Sequence, residues 1–237
     1  MGFLYRRVIL KITGEAFEPE TLHCYLGQLV NEIANARRMI QLAIIPGGGN
    51  FARRGRINGR EHAMEKEIGD CYGMVGTTLN ALLLHDGLKR KHVPSKIMGA
   101  WSFGSVIPAY SVSDAISFLD DEQVVILAGG LGHGGISTDT AAVVRALELR
   151  ADAVLKGTKV SGIYTADPKL DDKAKLIPRL THQRFREGQF LQILDHQAVQ
   201  KAGERKLPIH VFNIFVPGAF RDVLNGQRVG SLITSVV

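Results

Sequence analysis

Cysteine and tryptophan are scarce in this chain of 237 residues, which has two cysteines, Cys24 and Cys71, and a single tryptophan. No C-x-x-C pair occurs, and no histidines and cysteines have the spacing of a zinc site. The sequence therefore excludes a disulfide-rich scaffold and gives no sign of structural zinc. We expect both cysteines to be buried structural thiols of a protein in a reducing cytoplasm.

Long apolar runs are absent as well. The amino-terminal run in "RRVILKI" stops at Lys11, and no small-residue cleavage site follows it. No other run approaches the roughly 18 apolar residues that cross a bilayer. The composition, with 45% hydrophobic and 22% charged residues, is that of a globular protein. We therefore expect a cytoplasmic protein without membrane contact, with residues 1–237 forming one domain.

Negative charge is in deficit, since the formal net charge is +6 at pH 7. A basic surface attracts polyanions, which include nucleic acids and phosphorylated small molecules. The basic clusters "RRGRINGR" and "LKRKH" lack the interleaved aromatic residues on which a single strand would stack. We therefore favour a small phosphorylated ligand and expect no nucleic-acid partner.

Strand-like and helix-like segments alternate along the chain. Helical patterns, with apolar residues three or four positions apart, separate most of the strand runs "RRVILKI", "LAIIPGG", "PSKIMGA", "VVILAGG", "ADAVLKG" and "PIHVFNI". This alternation is typical of a mostly parallel sheet covered by helices on both faces. The predicted fold class is α/β, a three-layer α/β/α sandwich.

Four of the strand runs end in residues that suit an anion. "VILK" is followed by "ITG", "AIIP" by three glycines and "VVILA" by a segment with five glycines, and "AVLKGTK" carries Lys156 and Lys159. Open α/β sheets bind their ligands at the carboxyl ends of the strands. A single glycine-rich turn could serve tight packing alone. The joint occurrence of four such ends predicts a ligand site.

The richest of these loops, "AGGLGHGGISTD", places Gly130, Gly132 and Gly135 at G-x-G-x-x-G spacing. A dinucleotide site also needs an acidic residue after the next strand, and that strand ends at Lys156 instead. The Walker pattern is absent too. What remains is a row of backbone N–H donors at the start of a helix, with Asp139 in its first turn, which is an anion site.

Two charged residues allow a functional and a structural interpretation. Lys11 directly follows an apolar strand and would be costly to bury unless an anion lies against it, although its ammonium could instead extend to the surface. Asp139 could organise a cation or simply compensate the helix dipole. The residues alone leave both alternatives open.

Seven segments occur in an order that resembles one known family. They are "RRVILKITGEAF", "IIPGGGNFARRG", "GDCYGMVGTTLNALLLHDGL", "VVILAGGLGHGGISTDTAA", "VLKGTKVSGIYTADPK", "ILDHQAV" and "LPIHVFNIFVPGAFRDVLNGQRVGSLIT". They are similar to the amino acid kinase family, and in particular to its bacterial uridylate kinase branch. The resemblance implies transfer of the γ-phosphoryl group of ATP, bound with Mg²⁺, to UMP. It also implies a homo-oligomer, a hexamer in that branch, with GTP as a candidate effector.

The resemblance assigns the site residues by motif. The residues near the reaction centre would be Lys11, Asp139 and Asp195. Those contacting ATP would be Lys11, Ile12, Thr13, Gly14, Gly49, Arg53, Thr158, Tyr164 and Asp167. Those contacting UMP would be Gly48, Asp70, Leu131, Gly132, His133, Gly134, Gly135, Ile136, Ser137 and Thr138. No side chain is assigned as a metal ligand.

The sequence departs from the family pattern around the acceptor. Gly135 and Ile136 stand where the family has two phenylalanines, Leu131 replaces a threonine, and the segment from Arg53 to Asp70 is longer. Two alternatives therefore stay open. One is another phosphotransferase of the same family, with a carboxylate, a carbamate or isopentenyl phosphate as acceptor. The other is a non-catalytic nucleotide-binding member.

Overall fold

The computed structural model describes residues 4–54, 65–188, 190 and 193–236, without the side chains of residues 23, 24 and 52–54. The strands are β1 Arg7–Ile12, β2 Gln41–Pro46, β3 Ser95–Gly99, β4 Val124–Ala128, β5 Ala153–Thr158, β6 Arg179–Thr181, β7 Ile209–Asn213 and β8 Ser231–Thr234. The helices are α1 Pro19–Ala36, α2 Gly49–Arg54, α3 Lys66–Arg90, α4 Val112–Asp120, α5 Thr138–Glu148, α6 His182–Glu187, α7 His196–Glu204 and α8 Ala219–Leu224. A short 3₁₀ helix spans Gly14–Phe17.

The strands form one eight-stranded sheet in the order β3-β4-β2-β1-β5-β7-β8-β6. The first six strands in this order pair in parallel, while β8 runs antiparallel to β7 and parallel to β6. Parallel neighbours bring their carboxyl ends to the same edge of a sheet. The loops that follow β4, β2, β1 and β5 therefore lie side by side at the middle of that edge.

Each face of the sheet carries its own hydrophobic core. Alternate residues of β1 point to opposite faces, so that Val8, Leu10 and Ile12 pack with α1, α3 and α8, whereas Ile9 packs with α4, α5 and α7. The strand residues at the centre are almost completely buried, as expected for parallel strands covered on both sides. The predicted three-layer α/β/α sandwich is confirmed.

The sequence predicted six of the eight strands and the four helices α1, α3, α4 and α5. The prediction that both cysteines are buried is wrong for Cys71, which is an exposed free thiol on α3. The side chain of Cys24 lies outside the described residues. No helix in the described ranges is long and apolar enough to span a membrane.

Candidate functional site

The loops after β1 and β2 touch one another at the carboxyl edge of the sheet. Gly47 N donates a hydrogen bond to Ile12 O at 2.7 Å. A Cβ atom on Gly14 would lie 2.4 Å from Gly49 N, and one on Gly48 would lie 2.2 Å from Gly73 O of α3. Real Cβ atoms do not approach backbone this closely. Glycine is therefore required at these positions, where the loops after β1 and β2 and helix α3 pack directly against one another.

The loop after β5 closes the other side of β1. Thr13 N donates to Gly157 O at 3.0 Å, which continues the pairing of β1 with β5 beyond the strand. Lys159 Nζ lies 2.7 Å from Glu15 Oε1, an ion pair that ties the segment after β5 to the 3₁₀ helix after β1. The predicted ATP-site residues Lys11, Thr13 and Thr158 thus lie on one continuous stretch of the sheet edge.

Two buried lysines and one buried aspartate form the polar centre of this edge. Lys11 of β1 and Lys156 of β5 are register partners on neighbouring strands. Lys11 Nζ lies 3.1 Å from Asp139 Oδ1, and Lys156 Nζ contacts Asp139 Oδ2. Lys11 is only 8% exposed and Lys156 only 5%. The interpretation of Lys11 as a surface lysine is therefore wrong, because its ammonium is held inside.

Asp139 is placed by the start of α5. Ser137 caps this helix, since its Oγ accepts a hydrogen bond from Thr140 N at 3.1 Å. The cap fixes the first turn, from which Asp139 reaches both lysines. Burial alone would raise the pKa of Asp139, but the Lys11 and Lys156 ammonium groups outweigh burial and lower it to about 2. Asp139 is therefore a carboxylate at any physiological pH.

The surroundings disfavour the charged form of Lys156, whereas they favour the charged form of Asp139. Burial, together with repulsion from Lys11, lowers the pKa of the Lys156 ammonium to about 8, although Asp139 opposes the shift. When both lysines are protonated, Asp139 balances only one of their two charges. Lys11, Lys156 and Asp139 together therefore carry one excess positive charge in a poorly hydrated place, and among the described residues Asp195 offsets it without an ion pair to either lysine. Two buried ammonium groups that share one paired carboxylate can also pair with a bound anion.

Asp195 joins the same cluster from α7. Its carboxylate caps this helix through Gln197 N at 2.9 Å, and its Oδ2 accepts hydrogen bonds from Ser137 Oγ at 2.7 Å and Thr140 Oγ1 at 2.6 Å. Burial alone would raise the pKa of Asp195, but the hydrogen bonds from Thr140 and Ser137 outweigh burial and lower it. The three residues predicted near the reaction centre, Lys11, Asp139 and Asp195, are thus brought together.

The glycine-rich loop after β4 forms the neighbouring wall. Gly129 and Gly132 have φ values of +77° and +79°, a left-handed conformation that glycine adopts without strain. Gly129 N donates to Thr77 Oγ1 of α3 at 2.7 Å. A Cβ atom on Gly134 would lie 2.8 Å from Asp70 Oδ2, so Asp70 lies directly against this loop. The predicted UMP residues Gly134 and Asp70 therefore lie next to each other.

Other predicted residues are less closely joined to the cluster. Tyr164 and Asp167 follow β5 on an irregular segment, where Tyr164 forms a β-bridge with Leu176 and Asp167 Oδ1 accepts a hydrogen bond from Lys169 N. Among the described residues no hydrogen bond links either of them to Lys11 or Asp139. Arg53 belongs to α2, but its side chain lies outside the described residues, as do residues 55–64 of the long segment before Asp70.

The sequence interpretation named Lys156 among the strand-end residues that suit an anion but did not assign it to the site. A signal was available, because Lys156 follows the apolar residues of β5 in the same way as Lys11 follows those of β1. A second lysine inside a buried strand has the same cost and needs the same kind of partner. The strand register that places the two lysines side by side is a tertiary feature, which the sequence does not display.

Comparison with known proteins agrees with this geometry. The sequence pattern of the amino acid kinase family matches residues 6–213. A uridylate kinase of Escherichia coli K12 is 38% identical over 98% of this chain and 97% of its own length. A UMP kinase structure from Bacillus anthracis has a TM-score of 0.90 and 31% identity, covering 98% of this chain and 97% of its own. A UMP kinase structure from Ureaplasma parvum has a TM-score of 0.87 and 25% identity, covering 97% of this chain and 99% of its own. The chain belongs to the amino acid kinase family.

Proposed function

We propose that this protein is an ATP-dependent kinase that phosphorylates UMP to UDP. The observation that carries the proposal is the buried cluster of Lys11, Lys156 and Asp139 at the point where four strand-end loops meet. Two buried ammonium groups that share one paired carboxylate, at an edge lined by glycine-rich loops, fit transferable phosphates. The similarity to a uridylate kinase over nearly the whole chain supports UMP as the acceptor.

The two nucleotides would occupy opposite sides of Lys11. ATP would lie over the ends of β1 and β5, on residues 11–14, Gly49, Arg53, Thr158, Tyr164 and Asp167. UMP would lie between Gly48, Asp70 and the loop 131–138. The ion pair of Lys159 with Glu15 and the close contact of Asp70 with Gly134 support these two assignments, since each closes one half of the site.

The chemistry needs no covalent enzyme intermediate. A phosphate oxygen of UMP forms a bond to the γ-phosphorus of ATP, and the bond from that phosphorus to the bridging oxygen breaks, which releases ADP. Lys11 would stabilise the charge on the transferred group while the glycine loops align donor and acceptor. Mg²⁺ would enter as part of the Mg–ATP substrate, held chiefly by the phosphates and water, as is usual for this ion.

A coupled assay of ADP release tests the proposal. Purified protein is incubated with Mg–ATP and UMP, CMP, AMP or GMP, and we expect UMP to give the highest kcat/KM. CMP is the most informative competitor, because its base differs from that of UMP only at positions 3 and 4 of the ring. Formation of ADP at a rate that no nucleoside monophosphate changes would contradict the proposal. Adding GTP to the same assay tests the effector implied by the resemblance.

We further infer that the protein forms a homo-oligomer through α3. This helix exposes an apolar stripe, the residues Ile68, Tyr72, Val75, Leu79, Leu82 and Leu83, each between 37% and 57% exposed. Their spacing of three, four or seven positions places them along one side of the helix. Contiguous apolar surface of this kind usually marks a contact with another chain. The hexamer implied by the resemblance is compatible with such a contact.

A further inference from the structure

Lys156 is joined to two different elements of the site. Its ammonium donates hydrogen bonds to Asp139 Oδ2, in the first turn of α5, and to the carbonyl oxygen of Ile193, in the segment that leads into α7. The carboxylate and the carbonyl belong to separate parts of the chain, 17 and 37 residues from Lys156. A single buried group therefore fixes the distance between them.

These two contacts complete a closed ring of polar interactions. From Lys156 the ring runs through Asp139 to the start of α5, where Ser137 and Thr140 donate hydrogen bonds to Asp195. Asp195 lies two residues after Ile193, whose carbonyl returns the ring to Lys156. Lys11 joins the ring from outside, through Asp139 Oδ1 at 3.1 Å.

We propose that Lys156 is a positioning residue which, by holding Asp139 and the Ile193 carbonyl at once, keeps Lys11 and Asp195 in a single geometry for phosphoryl transfer. The inference rests on the proposed kinase activity and goes beyond it, because Lys156 acts through other residues and needs no contact with either nucleotide.

The consequence of losing Lys156 follows from the contacts. Asp139 would keep one cation, Lys11, and would be free to turn its carboxylate fully toward that ammonium. Lys11 would then be neutralised by Asp139 and drawn away from the phosphate. The Ile193 carbonyl would lose a charged donor in a buried place, which would let the segment before Asp195 shift. Both effects lower the rate more than they weaken nucleotide binding.

The charge on Lys156 also sets a pH dependence. The charged groups that face its ammonium are Lys11 from β1, Asp139 from α5 and Asp195 from the start of α7, while its partner on β7 is the apolar Val211. Because the pKa of Lys156 is lowered to about 8, its charge is present below this pH and is lost as the pH rises through it. The rate should fall over the same interval.

The variants Lys156→Met and Lys156→Arg test the proposal. Methionine keeps the length of the chain without the charge, and arginine keeps the charge without titrating. We expect Lys156→Met to lower kcat about 10- to 100-fold, as loss of a supporting contact typically does, with smaller changes in the KM of ATP and UMP. Lys156→Arg should recover part of kcat and lose the decline near pH 8.

A matched control separates positioning from stability. Leu155 precedes Lys156, is fully buried and points into the opposite core. Leu155→Ala should lower the melting temperature through its cavity but leave kcat and its pH profile near those of the wild type. The proposal is overturned if Lys156→Met keeps a wild-type kcat and pH profile, or if Leu155→Ala reproduces its whole effect.

Crystal structures of the wild type and of Lys156→Met provide a readout that does not depend on activity. In the variant we expect the Asp139 carboxylate to be turned toward Lys11, away from its position in the wild type. We also expect the hydrogen bonds of Asp195 to Ser137 and Thr140 to be lost. An unchanged cluster would overturn the role of Lys156 even if the protein proved to be an active kinase. A wild type that releases no ADP with any nucleoside monophosphate would instead contradict the proposed function, while the structures would still decide the positioning role.

Discussion

Lys11 is buried near the end of a central strand, and its ammonium lies 3.1 Å from Asp139 Oδ1. Its removal would delete the positive charge closest to the proposed phosphoryl group and leave Asp139 paired with Lys156. We expect Lys11→Met to lower kcat about 10²- to 10³-fold, the usual effect of losing one preorganised donor to the transition state. The coupled ADP-release assay measures kcat, and circular dichroism checks the fold.

A lysine at the surface provides the control for this substitution. Lys201 is an exposed residue of α7 and takes no part in the cluster. Lys201→Met removes the same charge and should keep kcat within about twofold of the wild type. A similar loss of activity in both variants would indicate a general effect of net charge and would contradict the role assigned to Lys11.

Asp139 is the residue whose loss should affect stability most at this site. Asp139→Asn would remove the carboxylate that pairs with both buried ammonium groups, and breaking a buried pair typically costs about 3–5 kcal/mol. The free energy of unfolding at pH 7, from urea titration, measures this cost. Asp120→Asn is the control, since Asp120 pairs with Arg7 but is 55% exposed, and it should cost no more than about 1 kcal/mol.

The same carboxylate predicts how stability changes in acid. The pKa of Asp139 is lowered from 3.8 to about 2 in the folded protein, so its contribution is fully present above pH 4 and is lost as the pH falls toward 2. Linkage makes this contribution about 2 kcal/mol. The difference in unfolding free energy between wild type and Asp139→Asn should therefore shrink below pH 4. A difference that stays constant down to pH 2.5 would show that Asp139 is not held as a low-pKa carboxylate.

How far single residues could be predicted from the sequence depended on their neighbours in space. Lys11 was recognisable because a lysine directly after an apolar strand is unusual. Lys156 follows an equally apolar strand, but its role needs the register that sets it beside Lys11, and that pairing joins residues 145 positions apart, counted from Lys11 to Lys156. The sequence shows which residues are costly to bury, whereas the partners that offset this cost appear only in the folded chain.

At the scale of whole elements, a substitution at a glycine where a loop meets a helix tests how closely the two pack. A Cβ atom at Gly48 would lie 2.2 Å from Gly73 O, so Gly48→Ala must push α3 away from the loop after β2. We expect a loss of about 1–3 kcal/mol in unfolding free energy, typical of overpacking, and a raised KM for UMP. Urea titration and the kinetic assay measure the two effects.

Gly69 on the same helix is the matched control. No heavy atom of the described residues lies within 4 Å of a Cβ placed there, so Gly69→Ala should raise stability by about 0.5–1 kcal/mol through helix propensity alone. If Gly48→Ala were as stable as Gly69→Ala, this result would contradict the close approach of the loop after β2 to α3. The pair therefore distinguishes a steric effect from a general effect of alanine.

Five of the six strands and α-helices missed by the sequence prediction are short. The sixth, α7, has 9 residues but buries only Ala198, Val199 and Ala202, which is a weak apolar pattern. β6 has 3 residues and β8 has 4, while α2, α6 and α8 have 6 residues each. Segments of this length contain too few positions to show a period of 2 or 3.6. Their conformation depends on pairing and packing with distant parts of the chain. The long central strands and helices, by contrast, were visible in their apolar periodicity.

At the scale of the whole molecule, α3 has two apolar sides with different partners. Ala81, Leu84 and Leu88 are completely buried against the core, while the stripe from Ile68 to Leu83 remains exposed in the described part of the chain. A helix that is apolar on both sides is stable in water only if its outer side is also covered. The sequence pattern showed that the helix is apolar, but the sheet determines which side faces outward.

A charge placed in the middle of this stripe should separate the subunits. Leu79 is 42% exposed at its centre, and Leu79→Glu would put a carboxylate into the apolar contact that we infer between two copies. Sedimentation equilibrium should show an oligomer for the wild type and a smaller species for Leu79→Glu at the same concentration. Leu170→Glu is the control, because Leu170 is 87% exposed and belongs to the segment between β5 and β6, not to α3, and the mass of this variant should equal that of the wild type. A monomeric wild type, or a Leu79→Glu variant of unchanged mass, would show that the apolar side of α3 does not join two copies.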